Sequence, residues 1–93
     1  MPSAARDMTA EEGELIHESS KLVKSFKEEF PPEEHPSSSN IGRARANLEL
    51  QIRMYTEVCR DPESTDENLA LVRIDLEIAI VNVIALMPEP NGN

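Results

Sequence analysis

Apolar residues recur every three or four positions along most of this chain, and proline interrupts the pattern. Thr9-Ala-Glu-Glu12 opens the first periodic stretch as a capping box: the threonine hydroxyl can accept an orphan N–H while the glutamate reaches back. Leu15, Ile16, Leu22, Val23, Phe26 and Phe30, with Ser19 among them, form one side of a helix. His17, Glu18, Lys21, Lys24, Lys27 and Glu28 form the other, so one face is buried. Pro31-Pro32 stops this helix, because proline lacks the N–H and disfavours helix in the residue before it.

A polar connection, PPEEHPSSS, leads to a second helix capped by one of its serines or by Asn40 and running to about Arg60. Ile41, Ala44, Leu48, Ile52, Tyr55 and Cys59 make a three-four seam. Leu50, Met54 and Val58 widen the apolar arc to roughly 200° of the helix, which suits an element touching two neighbours. Arg45, Glu49, Arg53, Glu57 and Arg60 fill the remainder. Asp61-Pro62 ends the helix, Ser64-Thr-Asp-Glu67 reads as a second capping box, and Pro88 ends the third helix. The three helices run roughly 19–22 residues, about 30 Å each. Matched lengths and short connections predict an all-α fold, a three-helix antiparallel (up-down-up) bundle. The expected organisation is a disordered lead over 1–8, one helical-bundle domain over 9–87 and a polar tail over 88–93.

The third helix is the most apolar part of the chain. On a wheel of about 100° per residue it carries two apolar stripes. Leu69, Val72, Leu76, Ala79, Ile80, Val83 and Met87 form one; Leu71, Ile74, Ile78, Val81 and Ala85 form the other. Arg73 with Glu77, and Asp75 with Asn82, fall in the seams. Residues 72–80 also alternate strictly, as a half-buried strand does. Two facts favour helix. The run Leu69 to Met87 is long for a strand, and no second strand-like segment exists to pair with it.

A helix apolar on both sides needs cover on both sides. The other two helices suffice for the first stripe only. The second, Leu71, Ile74, Ile78, Val81 and Ala85, is therefore the candidate interface, either with a second copy as a homodimer or with a different protein. Leu50, Met54 and Val58 are the next candidate patch. The expected function is that of a small acidic interaction module, an adaptor, assembly subunit or regulator.

Charge adjusts this picture. The formal net charge is −9 over 93 residues. Residues 1–38 contribute −5, residues 39–60 contribute +2 and residues 61–93 contribute −6. A cationic element between two anionic ones favours attraction within the chain and disfavours non-specific binding to DNA or acidic lipid. The alternative is a charge-based regulator that binds or mimics nucleic acid, through Arg43, Arg45, Arg53 and Arg60 or through the carboxylates. Glu49 and Glu57 interrupt the arginine row, which makes salt bridging its expected use.

Candidate chemistry is sparse. The lone cysteine, Cys59, rules out an internal disulfide and lies on the core seam, where a buried inert thiol is expected. His17 and His35, the only histidines, have no partner at metal-ligand spacing. The glutamate clusters lack the glycine-containing turn of a calcium loop. No nucleophile set or glycine-rich phosphate loop is present, so neither an enzyme nor a cofactor or metal is expected. The opening MPSAARDMTAEEGE has no signal-peptide core, and Ile78 to Met87 is too short to span a bilayer. A soluble cytoplasmic protein is the resulting expectation. Ser37, Ser38 and Ser39 are candidate phosphorylation sites at the start of the second helix, with no kinase motif around them.

Overall fold

In the computed structural model, residues 7–88 are described. Three helices account for most of them: α1 (Ala10–Glu29), α2 (Asn40–Arg60) and α3 (Asp66–Leu86). The disordered lead expected over 1–8 and the tail over 88–93 lie almost entirely outside the described residues. No strand occurs among the described residues, and residues 72–80 are helical throughout.

The caps explain where each helix starts. Thr9 closes its capping box: its Oγ1 accepts from Glu12 N–H at 3.1 Å while Glu12 Oε1 accepts from Thr9 N–H at 3.0 Å. At α2 the capping residue is Ser39, whose hydroxyl accepts from Gly42 N–H at 3.0 Å. At α3 the box is shifted one residue from the sequence reading. Thr65 is the cap and Asn68 its reciprocal partner. Ser64 instead donates its hydroxyl to Val58 O at 2.6 Å, a carbonyl at the end of α2 that also accepts the Asp61 N–H at 3.3 Å.

α2 is the hub. It packs along α3 and along α1, whereas α1 and α3 meet only thinly. The core joins Val23 and Phe26 of α1, Leu48, Tyr55 and Cys59 of α2, and Leu76, Ala79 and Val83 of α3. The wide apolar arc of α2 is what lets it serve two neighbours. Ser19 is buried in the same layer without a partner on another helix; its hydroxyl bonds back to Leu15 O at 2.7 Å and reaches Ile16 O at 3.1 Å.

The α1–α2 connection is held by specific contacts. Phe30 packs on Phe26 with ring centroids 5.0 Å apart, and His35 meets the edge of Phe30 at 5.4 Å. His35 is therefore half-buried although it lies in a loop, while His17 is exposed. Arg45 donates to His35 O at 2.9 Å and Arg43 to Ser38 O at 3.2 Å, so two arginines of the cationic row anchor the loop. Gly42 is buried because the Pro36 carbonyl lies against its α-carbon; a β-carbon there would overlap the His35 and Pro36 carbonyls.

Candidate docking surface

α3 separates its two stripes cleanly. Leu76, Ala79 and Val83 are buried, with Leu69, Val72, Ile80 and Met87 packed around them. On the opposite side Leu71 is 59% exposed, Ile74 51%, Ile78 55% and Val81 63%. Ala85 is exposed with them. The five candidate interface residues therefore share one outward face, uncovered in the single chain.

Two further residues extend that surface. Ile84 and Leu86 are exposed aliphatics that belong to neither sequence stripe. Their signal was available: no charge follows Glu77 on α3, so this half of the helix has no polar face to turn to water. From the second patch, Leu50 and Met54 of α2 are exposed whereas Val58 is half-covered. That patch is thus narrower than its sequence suggests.

The relief of this face is specific. Ile74, Glu77, Ile78 and Val81 stand at positions i, i+3, i+4 and i+7 and, with Asn82, border a shallow hollow of about 250 Å³. Four side chains in that diamond are what a knob from a facing helix enters in coiled-coil packing. A more polar cleft of about 440 Å³ lies alongside, bordered by Asn40, Arg43, Ala44 and Asn47 of α2 and by Asn82.

Ion pairs link neighbouring helices and successive helical turns. Arg73 bridges Glu11 of α1 at 3.2 Å and Glu77 on its own helix at 3.5 Å. These carboxylates raise its guanidinium pKa, the Glu11 hydrogen bond most. Lys27 meets Glu49 at 2.8 Å, and Arg45 approaches the same carboxylate at 3.9 Å. The Arg73 and Lys27 pairs are open to water and contribute little to stability, whereas the Arg45 side chain is only 11% exposed.

The buried chemistry lies elsewhere. The Tyr55 hydroxyl hydrogen-bonds Cys59, and burial pushes its pKa up to about 12, with Cys59 and Glu12 adding to the rise. Cys59 itself is fully buried. Among the described residues no group of three or more His, Cys, Asp or Glu gathers to hold a metal ion, and no helix is long and apolar enough to cross a membrane. What the aliphatic outer face of α3 can supply is the free energy of leaving water.

Compared with known protein families, curated proteins and solved structures, the chain matches none.

Proposed function

We propose that this protein is a small interaction module that works by docking the outer face of α3 onto another polypeptide. The observation that carries this reading is the continuous aliphatic face Leu71, Ile74, Ile78, Val81 and Ala85, uncovered although it lies on a helix whose other side is core. Fully burying an aliphatic side chain of this size contributes about 1.5–3 kcal/mol, and each of these large residues has roughly half of that still to gain. Aliphatic patches of this extent on a soluble domain commonly mark interfaces. Leu50 and Met54 of α2 are available as a flanking contact.

The charge-based alternative draws less support. Arg43 and Arg45 are engaged by loop carbonyls, and Arg45 also approaches Glu49. A nucleic-acid surface works instead through cations free to meet phosphates.

Ile78→Glu is the decisive variant. Ile78 faces outward, so helical content by circular dichroism should stay that of the wild type. Association, with itself or with a partner recovered from the source cell, should be lost. Wild-type association should persist at ~0.5 M salt, where charge-driven contacts are screened. If the variant associates as the wild type does, the reading fails.

A further inference from the structure

Resting on the docking reading above, we infer that the occupant of this face is a second copy of the chain, its α3 laid antiparallel on the first across a two-fold axis. Three features of α3 point to this geometry.

The first is the hollow bordered by Ile74, Glu77, Ile78 and Val81. It accepts one side chain from a facing helix, and Val81 is the most exposed large aliphatic residue among those described. In an antiparallel pair whose axis passes between Ile78 and Ala79, Val81 of each copy comes level with Leu76 of the other, within the span of the hollow. Each face is then knob and hole at once, as a two-fold contact requires.

The second is the distribution of charge. Every charged residue of α3 lies between Asp66 and Glu77, and Ile78–Leu86 carries none. A parallel pair would set Glu67 beside its own copy and Asp75 beside Glu77 of the other. An antiparallel pair centred on Leu76 would set the two Asp75 within two residues of each other, roughly 3 Å along the axis. Moving the axis toward the C-terminus overlaps the uncharged halves and removes both clashes.

The third is the seam beside the stripe. Asp75 and Asn82 stand seven residues apart, on the same side of the stripe, and both are exposed. In this register Asp75 of one copy meets Asn82 of the other, twice, so the Asn82 amide can donate to the Asp75 carboxylate. The two Asp75 carboxylates are then seven residues apart along the axis, roughly 10 Å at 1.5 Å per residue. That exceeds the ~8 Å screening length at physiological ionic strength.

A contact made by one helix face from each copy falls at the small end of specific interfaces, under about 1,200 Å² in total, so self-association should be of micromolar strength or weaker. Sedimentation equilibrium of the full chain from ~1 µM to ~1 mM reads it out. The wild type should pass from monomer to dimer. Asn82→Asp sets carboxylate against carboxylate twice and should weaken dimerisation at least tenfold. Adding Asp75→Lys to Asn82→Asp restores opposite charges and should bring the dissociation constant back to within about threefold of the wild type. Ser20→Asp, the same charge change on the exposed side of α1, should move it less than twofold. Circular dichroism checks that each variant stays folded.

A wild type that stays monomeric at ~1 mM overturns the inference while leaving docking on a different protein to the Ile78→Glu test. A dimer that Asn82→Asp weakens no more than Ser20→Asp, or that Asp75→Lys fails to rescue, also overturns it, by excluding this register.

Discussion

Leu76 and Ile78 stand two residues apart on α3, are nearly the same size, and differ completely in surroundings. Leu76 is fully buried between α3 and its neighbours, whereas Ile78 is 55% exposed. The same contrast repeats along the helix, with Ala79 and Val83 inside and Leu71, Ile74 and Val81 outside. Hydrophobicity therefore does not tell the two faces apart; cover does. α2 lies along one face, and among the described residues no other element lies along the other. A helix that invests aliphatic residues where its own fold leaves them wet carries a surface that the fold alone does not explain.

The contrast breaks most sharply under matched truncations. Leu76→Ala should destabilise the chain by about 2–5 kcal/mol, because a cavity is left in a core that relaxes only partly. Ile78→Ala, measured by thermal melting at a concentration where the chain is monomeric, should cost well under ~1 kcal/mol, as surface substitutions do. Equal losses at the two positions would mean that the outer face is covered within the single chain.

Gly42 tests whether inner and outer differ for backbone as well as side chains. It is buried under a carbonyl rather than under a side chain, so Gly42→Ala should force the Pro36 turn off the start of α2. The expected loss is about 1–3 kcal/mol, as for overpacking elsewhere. Gly13, whose β-carbon would meet nothing, should take alanine with no loss or a gain of up to ~1 kcal/mol. Thermal melting of the pair decides it.

Tyr55 sharpens the comparison by pH. An unfolded tyrosine ionises near pH 10 and the buried one near 12. Between these values the folded state holds the proton that the unfolded state has lost. Stability therefore falls as pH rises from about 10 to about 12, at up to ~1.4 kcal/mol per pH unit. Below pH 10 the group makes no pH-dependent contribution. Tyr55→Phe should flatten this alkaline limb while costing ~1 kcal/mol at neutral pH for the hydrogen bond to Cys59. Urea titrations at pH 9 and pH 11 check it; parallel losses in both proteins would show that the phenol is not responsible.

Much of the fold was legible before any coordinates. The prolines and capping residues locate the helix ends because they act within a few residues of themselves. The all-α, three-helix bundle follows from that local punctuation and from the three-four spacing. The alternation over residues 72–80 was ambiguous only because a strand period is also short-range; the absence of a pairing partner decided it. Ser64 and Thr65 show the limit of local reading. Either could cap α3, and the choice fell to Thr65 because the Ser64 hydroxyl finds a carbonyl at the end of α2.

By itself the sequence determined that α3 would be apolar on two sides, since that is a property of residue spacing. It also determined that aliphatic contacts, with few aromatics, would have to form the core. Only the tertiary structure decided that α2 would be the hub, that Arg45, His35 and Phe30 would fasten the first loop, that a carbonyl would occupy the space beside Gly42, and how far each residue of α3 would stand out of the core. The packing outcomes depend on surfaces that meet tens of residues apart, and the loop contacts on groups five to ten residues apart; in both, shape and cover, not spacing along the chain, set the free energy.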